Sequence, residues 1–424
     1  MVYFLSLVLL ATLPFQFALP LGVLGDVPFA RIAAALIGVV FLISVLSRRC
    51  WPLPAPFMTG TLLSLLGIAL ASCLWAARPD LALPKVALLW NLFPLVFVWY
   101  ACFQEGKGVQ FLLTRGLLWG VVGAASLGLM IFFAQFVFGV GETFHVVVDR
   151  VLPFFLGREL SALVASYPSL LVNIDGATVL RVSAFFPDPH VAAYCFGMGG
   201  FLALGLARQT GQRRYVFAAA VIFLADILTF SRGGYIGLLA GGVVYGMMLV
   251  PTLSSTNRLR LGGAVLCGVL VLLTFGQSVW SRMITSFSFA DASSLERIRL
   301  WQEALTAIVQ HPVLGVGLGN YIVVARPLYA TGTPFYAHNL YFDIALEIGL
   351  FGLLIFLTLC LYALGQAFRA RHHAPFAPAL VAVLVLYLTH SLFETALYSL
   401  HVTLMLVFSL TLALSLSRPG DTSA

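Results

Sequence analysis

The sequence contains very few charged side chains. Only 9% of its 424 residues are Asp, Glu, Lys or Arg, and lysine occurs twice, at Lys85 and Lys107. Soluble domains carry about 25% charged residues. Hydrophobic residues make up 61% of the chain, and the mean hydropathy is +1.01. These values exclude an ordinary soluble domain and predict an integral membrane protein.

Cysteine is also scarce. The six cysteines lie in or beside apolar runs, without a CxxC pair or metal-ligand spacing. The two long polar connections, 139–188 and 278–340, contain neither cysteine nor a DxD-like acidic pair able to hold Mg²⁺. This pattern argues against a disulfide-stapled external module and predicts that the protein uses no metal and no cofactor.

Twelve apolar runs approach the roughly 17 to 25 residues that a membrane-spanning helix needs. They lie at residues 3–19, 29–47, 57–76, 84–103, 111–138, 189–207, 215–230, 233–250, 261–277, 341–365, 376–397 and 400–417. The predicted fold class is therefore an all-α integral membrane protein with about 12 transmembrane helices, in a single polytopic domain over residues 1–424. The first run lacks a basic n-region and a cleavage site, so we interpret it as a retained span.

Basic residues predict the orientation. With the N-terminus cytoplasmic, the inside loops receive Arg48 and Arg49, Lys107, Arg208 with Arg213 and Arg214, Arg258 with Arg260, Arg369 with Arg371, and Arg418. This positive-inside bias places both termini in the cytoplasm and both long connections on the outer face. The net charge of +7 is thus mostly an orientation signal, and no nucleic-acid partner is expected.

The second long connection contains a predicted amphipathic helix over residues 293–310. Ser293 and Glu296 have the spacing of a capping box, and an apolar stripe follows, formed by Ile298, Trp301, Leu305 and Ile308. Arg297 and Arg299 lie on its polar side as candidate anion ligands. For Arg299 the alternative is a salt bridge with Glu303, four residues later.

A glycine-rich run follows Pro312, with Gly315, Gly317 and Gly319 in the sequence LGVGLGNY. The strand and helix that would flank a nucleotide-binding loop are missing. We interpret the run as a turn that folds the outer segment back toward the helix bundle.

Polar side chains concentrate in Pro334 to Gly352, at the predicted outer end of the tenth run. Asn339, Asp343 and Glu347 recur every four residues and so form one stripe of a helix, and His338 begins the adjacent stripe. Titratable groups are costly near the acyl boundary and usually serve a function there. The candidate site therefore includes His338, with Tyr336, Asn339, Asp343 and Glu347 as residues that line it.

Two further cations lie near the predicted outer face. Arg232 separates two apolar runs, and its planar guanidinium suits a phosphate; a buried pair with Asp188 or Glu347 is the alternative. Lys85 begins another run, where it either contacts phosphate or snorkels to the interface.

The first long connection re-enters the membrane at RVSAFFPDPHVAAY. Arg181, Asp188 and His190 of this segment are further candidates for lining the site.

Four motifs in order resemble the O-antigen ligase family of polytopic glycosyltransferases. They are SRGG, the R-x-x-x-W of Arg297 to Trp301, HPVLGVGLGNY and AHNLYFDIALEIGLFG, between residues 229 and 356. The same superfamily contains O-antigen and exopolysaccharide polymerases and protein O-oligosaccharyltransferases. The amino-terminal half agrees in hydropathy only.

The resemblance implies a bacterial inner-membrane enzyme with a periplasmic active site. It would transfer O-antigen polysaccharide from undecaprenyl diphosphate to a sugar hydroxyl of lipid A core, without a metal. His338 occupies the family's catalytic position, and Arg232 and Arg297 match arginines that handle the donor diphosphate, with Lys85 and Arg299 as further candidates. The partners would be this lipid-linked donor, the lipid A core acceptor and membrane lipid.

The alternatives are an O-antigen or exopolysaccharide polymerase, a protein O-oligosaccharyltransferase and, as a non-enzyme, a transporter of lipid-linked glycans. A polymerase would use another lipid-linked repeat as its acceptor, and the sequence does not name the acceptor. A transporter of lipid-linked glycans would be expected to show internal duplication and ionisable groups near the midplane. Here the charged groups concentrate at the outer boundary, with Asp226 as the main exception, so glycosyl transfer is favoured.

Overall fold

A computed structural model describes residues 1–22, 25–48, 53–166, 168–174, 176–256, 258–259, 292–325 and 336–416. Within these ranges most of the chain is α-helical. The helices are α1 (Val2–Thr12), α2 (Phe29–Arg48), α3 (Pro56–Ala71), α4 (Pro79–Leu92), α5 (Leu95–Gln104), α6 (Lys107–Phe138), α7 (Val140–Val146), α8 (Leu152–Leu156), α9 (Arg158–Ser166), α10 (Pro189–Thr210), α11 (Arg213–Ile227), α12 (Arg232–Leu249), α13 (Ala292–Gln310), α14 (Tyr321–Ala325), α15 (Leu340–Ala370), α16 (Ala377–His390) and α17 (Leu400–Ser415).

The described strands form two short antiparallel hairpins. β1 (Ala18–Pro20) pairs with β2 (Asp26–Pro28), with Leu19 opposite Val27. β3 (Leu171–Ile174) pairs with β4 (Ala177–Leu180), with Val172 opposite Val179. The second hairpin lies in the predicted outer segment 139–188, which also contains α7 to α9 and a π-helical turn at Val147–Val151. An apolar cluster that includes Val148, Leu152 and Leu170 holds this segment together.

Seven stretches of helix in the described chain are long and apolar enough to cross a membrane. They are Phe29–Ser47, Pro56–Leu74, Pro79–Gln104, Lys107–Phe138, Pro189–Thr210, Arg232–Thr252 and Leu340–Ala370, and Val2–Phe15, Ala377–His390 and Leu400–Ser415 are shorter apolar helices. Large apolar side chains on α2 face outward, among them Ile43 and Leu46, which is 72% exposed. Such a surface requires an apolar solvent. The protein is a multi-pass membrane protein.

Several predicted runs differ from the helices in their bounds. The first run, 3–19, is helical only to Phe15, because the chain then turns into β1. The run 84–103 is two helices that meet at Phe93 and Pro94. The run 376–397 ends as a helix at His390, and a connection without helix follows from 391 to 399. The run 261–277, the capping side chain of Ser293 and parts of 278–340 lie outside the described residues.

Close helix packing at the centre depends on glycine. Every residue of α17 from Leu400 to Leu414 is buried. Beside it, α12 packs on α16 through glycines at four-residue spacing. A Cβ at Gly233, Gly237 or Gly241 would lie within about 3 Å of His390, the Leu386 carbonyl or the Ala382 carbonyl, respectively. Small residues at this spacing let membrane helices approach closely, which brings the first turn of α12 against the end of α16.

The glycine-rich run fills a break in α15. Ile348 and Gly349 leave the helical conformation, and Gly349 has a φ of +76°. The carbonyls of Leu346 and Glu347 accept hydrogen bonds from the N–H groups of Val316 and Gly317, both at 2.8 Å. The N–H of Leu350 donates to the carbonyl of Pro312, also at 2.8 Å. The run therefore satisfies the backbone groups that the break exposes, which is a more specific role than the turn predicted from sequence.

The same run continues onto the junction between α3 and α4. The amide of Asn320 is fully buried and exchanges hydrogen bonds with the backbone of Arg78, and the N–H of Leu318 donates to Ser72. A Cβ at Gly319 would lie 2.3 Å from the carbonyl oxygen of Leu81. Residues 312–320 thus form a wedge between α15 and the start of α4, which we call the glycine wedge.

The amphipathic helix predicted at 293–310 is α13. It packs on α15 through Trp301, Ala304, Ala307 and Ile308, against a cluster that includes Leu346. Leu305, assigned to the same stripe from the sequence, faces away from this interface and is 47% exposed. The face of α13 that packs on α15 therefore includes Ala304 and Ala307 in place of the predicted Leu305.

We expect Gly349→Ala to destabilise the protein. The added Cβ would lie 1.9 Å from the carbonyl oxygen of Val313, and the positive φ is strained for any L side chain. The check is the melting temperature of the detergent-purified protein, which should fall by at least several degrees. Gly365→Ala, on the same helix but with nothing within 4 Å of the new Cβ, is the matched control and should melt with the wild type. Equal melting of both variants would refute the role assigned to the wedge.

Candidate active site

The loop before α15 holds His338 in an unusual conformation. His338 has a φ of +51°, a region that costs a non-glycine residue about 1 to 3 kcal/mol and persists only where the surroundings hold it. Asn339 follows as the N-cap of α15, and its side chain accepts hydrogen bonds from the N–H groups of Tyr341 and Phe342. The backbone of the loop is thus fixed at the point where the helix begins.

The peptide groups before His338 are held from two sides. The N–H of Ala337 donates to Oδ1 of Asp343 at 2.9 Å, and its carbonyl accepts from Nε1 of Trp301 at 3.0 Å. Asp343 is fully buried in the first turn of α15, whereas Trp301 comes from α13. The strained conformation of His338 is therefore imposed by two separate elements.

Glu394 is the direct partner of His338. Its Oε1 lies 2.9 Å from Nδ1 of His338, and the same oxygen accepts from the N–H of Thr395 at 3.1 Å. The hydroxyl of Thr395 donates to Oδ2 of Asp343. Asp343 therefore contacts both loops, one that carries His338 and one that carries Glu394.

This pairing changes the acidity of both groups. The Glu394 carboxylate raises the pKa of His338 above its ordinary value, against the opposing effect of burial. Burial would raise the pKa of Glu394, but the charge of His338 and its hydrogen bond, with help from His190 and Arg297, outweigh it and hold that pKa well below the ordinary value. Since Nδ1 is engaged by Glu394, Nε2 is the ring nitrogen that remains to meet a substrate.

Arg297 and Arg299 face different surroundings. The guanidinium of Arg297 lies 3.9 Å from Oε2 of Glu394, and its side chain is 25% exposed. Arg299, two residues further along α13, is exposed. Of the two arginines, Arg297 is thus the one that lies beside His338 and Glu394.

Three helices, α10, α12 and α15, begin around the pair formed by His338 and Glu394. Asp188 caps α10 by accepting from the N–H of His190, and Ser231 caps α12 by accepting from the N–H of Gly234. His190 Nδ1 lies 2.8 Å from the Ser231 hydroxyl, so these two helix starts are joined directly. Arg232 is the first residue of α12. Helix N-termini carry partial positive charge.

The start of α15 lies beside the starts of α10 and α12. The N–H of Leu340 donates to the carbonyl of Ser391 at 2.9 Å, and the hydroxyl of Tyr194, on α10, lies 3.1 Å from that of Ser391. Three helix N-termini and the Arg297 guanidinium therefore lie near the His338–Glu394 pair, an environment that suits an anionic ligand.

Arg181 forms internal hydrogen bonds. Its guanidinium donates to the carbonyls of Thr229 and Ser169, at 2.6 and 2.9 Å, and the residue is buried. It links the first long connection to the turn before Arg232. Of the three candidates in that connection, Asp188 and His190 lie at the helix start beside the pair.

Lys85 and Glu347 form an ion pair. Nζ of Lys85 lies 2.6 Å from Oε1 of Glu347, whose side chain is fully buried. Oε2 of Glu347 accepts from the hydroxyl of Tyr398 at 2.6 Å, and the rings of Tyr398 and Tyr336 are stacked with centroids 5.8 Å apart. Glu347, one of the two carboxylates suggested as a partner for Arg232, is thus paired with Lys85.

Glu394 was missed in the sequence because it was counted within the apolar run 376–397. A glutamate in a predicted span is itself a signal, since carboxylates are costly in the membrane. Thr395 was missed for the same reason, whereas Tyr398 lies in the same connection but between two predicted runs. Trp301 was assigned to an apolar stripe, but its indole N–H also holds the loop of His338.

In this multi-pass membrane protein, a histidine and a glutamate are thus paired where three helices begin. Residues 216–357 match the O-antigen ligase family. The chain therefore carries an O-antigen ligase family domain, as the motifs predicted. That segment includes Arg232, Arg297 and His338, whereas Lys85 and Glu394 lie outside it.

One curated protein aligns over a longer stretch. It is the "Putative polysaccharide ligase" of Rickettsia felis (strain ATCC VR-1525 / URRWXCal2), which is 22% identical over 299 residues. The alignment covers 68% of this chain and 63% of that protein. The chain thus spans somewhat less than two thirds of the length of this relative.

We expect Glu394→Gln to lower the pKa of His338, because it removes the carboxylate that raises it. Diethyl pyrocarbonate modifies neutral imidazole, so peptide mass spectrometry across a pH series should show His338 becoming reactive at lower pH in the variant. Glu105→Gln, an exposed glutamate in another part of the chain, is the control and should leave the His338 profile unchanged. An identical profile in Glu394→Gln and wild type would contradict the pairing.

Proposed function

We propose that the protein transfers O-antigen polysaccharide from undecaprenyl diphosphate to a sugar hydroxyl of lipid A core. The observation that carries the proposal is the hydrogen bond of 2.9 Å between His338 and Glu394, with Arg297 beside it. The O-antigen ligase match over residues 216–357 supports the same activity. A base next to fixed cations is what sugar transfer from a lipid diphosphate requires.

The chemistry is a displacement at the anomeric carbon of the donor sugar. The acceptor oxygen forms a bond to this carbon from the face opposite the diphosphate, and its proton passes to Nε2 of His338. The bond between the carbon and the diphosphate oxygen breaks, and the electron pair leaves with the diphosphate. The configuration at the anomeric carbon is therefore inverted.

Glu394 assists by holding the ring and stabilising its charged form. Nδ1–H donates to the carboxylate, which leaves Nε2 as the acceptor and offsets the positive charge that develops on the imidazole. General base help of this kind is typically worth about 10² to 10⁴ in rate. The raised pKa of His338 makes it a stronger base once it is neutral.

Arg232 and Arg297 bind the donor diphosphate. Guanidinium groups match phosphate oxygens with two hydrogen bonds, and a fixed donor in a poorly hydrated site contributes about 3 to 4 kcal/mol to the transition state. The beginnings of α10, α12 and α15 add partial positive charge at the same place. The residues present thus supply charge stabilisation through the protein alone, and we propose that no metal takes part.

The proposed orientation has both termini in the cytoplasm and the site facing the periplasm. The support is the distribution of basic residues, since Arg208 and Arg369 lie at the far ends of α10 and α15, whose beginnings form the site. Cytoplasmic loops are enriched in such residues. We place the protein in the bacterial inner membrane with about twelve spans.

We expect His338→Ala to abolish transfer of glycan from purified undecaprenyl-diphosphate donor to purified lipid A core. The assay contains EDTA, and the products are separated by gel electrophoresis. Wild type should transfer in EDTA, because His338 and the arginines supply the chemistry. Chain growth from donor to donor without a lipid A product would show a polymerase instead, and undiminished transfer by His338→Ala would refute the role of the histidine.

Removal of the site arginines should slow transfer without unfolding the protein. We expect Arg297→Ala and Arg232→Ala each to lower kcat/KM by about 10²-fold, the equivalent of about 3 kcal/mol of lost charge stabilisation. Arg299→Ala, two residues from Arg297 and exposed, is the matched control and should retain most activity. Wild-type kinetics in Arg297→Ala and Arg232→Ala would remove both arginines from the diphosphate site.

A further inference from the structure

The surroundings of Lys85 bear on whether it contacts a phosphate. It is in the second turn of α4, and 13% of its side chain is exposed. Nζ is 2.6 Å from Glu347, 4.0 Å from the ring centre of Tyr398 and 4.7 Å from that of Tyr336. The ammonium group is thus surrounded by a carboxylate and two aromatic faces, which attract a cation.

Both carboxylate oxygens of Glu347 already have a partner. One oxygen pairs with Lys85, and the other accepts from the hydroxyl of Tyr398. If Lys85 moved to a diphosphate, this fully buried carboxylate would lose its counter-charge. Breaking a buried pair by withdrawing one partner is strongly destabilising, so the arrangement favours a lysine that stays in place.

The two tyrosines connect this ion pair to both halves of the candidate site. Tyr336 precedes His338 by two residues, and Tyr398 follows Glu394 by four. Their rings are stacked at an interplanar angle of 19°. Lys85, Glu347, Tyr336 and Tyr398, which we call the Lys85 brace, therefore tie α4 and α15 to the loop of His338 and the loop of Glu394.

We propose that Lys85 is a positioning residue that aligns His338 with Glu394 through Tyr336 and Tyr398, and that it does not contact the donor diphosphate. This role rests on the proposed function of the site. It replaces the phosphate role that the sequence suggested for Lys85. The cations left to the donor are then Arg232 and Arg297.

The test compares Lys85→Met with the double variant Lys85→Met/Glu347→Gln. The single variant leaves the Glu347 carboxylate buried without a counter-charge, whereas the double variant removes both charges and retains an amide oxygen for Tyr398. For a positioning role we expect kcat of Lys85→Met to fall at least tenfold at unchanged donor KM, with most of the loss recovered in the double variant. Lys107→Met, which changes the other lysine of the chain, should behave as wild type.

A diphosphate contact predicts the opposite pattern. Donor KM would then rise at least tenfold in Lys85→Met and stay raised in the double variant, which would overturn the proposal. If the single variant does not fold, the double variant decides alone, since wild-type donor KM supports the brace and a raised KM refutes it.

A second readout does not depend on transfer. The pH profile of His338 modification by diethyl pyrocarbonate should move to lower pH in Lys85→Met, because His338 loses alignment with Glu394, and should return in the double variant. This separates failure of the brace from failure of the proposed ligase activity. An unchanged profile in a folded Lys85→Met protein would refute the brace whatever reaction the wild type catalyses.

Discussion

The break in α15 at Ile348 and Gly349 is the constraint on which the site depends. A broken helix inside a membrane exposes backbone groups that must find partners within the protein, and here the glycine wedge supplies them. The wedge follows α13 directly in the chain, so its attachment also fixes α13 against α15. From that helix Trp301 reaches the loop of His338, and Arg297 reaches Glu394. A backbone requirement near residue 348 thus positions two side chains that come about fifty residues earlier.

The site places opposite charges close together without a large net charge. Glu394 lies between His338 and Arg297, and Asp343 joins the loops that carry the histidine and the glutamate. Around them begin helices whose first N–H groups are already capped by Asp188, Ser231 and Asn339. Fixed dipoles and paired side chains need little rearrangement when charge develops on a substrate, and this is the property that makes preorganised sites effective.

Much of this arrangement could be predicted from the sequence. Hydropathy located the long helices, the apolar stripe located α13, and the motif order singled out His338, Arg232 and Arg297. Hydropathy could not show where a helix ends inside an apolar run, because the free energy of burying Leu or Phe is similar in a helix and in a packed connection. For that reason Glu394 was assigned to a span. The pairing of Lys85 with Glu347 joins residues 262 positions apart, and helical periodicity carries no information about such a contact.

The separation of His338 from Glu394 along the chain affects how the protein is made. His338 lies just before α15, and Glu394 lies in the connection between α16 and α17. The chain is synthesised from the amino terminus onward, so the pair cannot form until α16 and the connection after it have been made. A nascent chain that has completed its family-matching segment still lacks the carboxylate. The His338–Glu394 pair is therefore a late feature of the chain, which is complete only after the segment beyond α16 has been made.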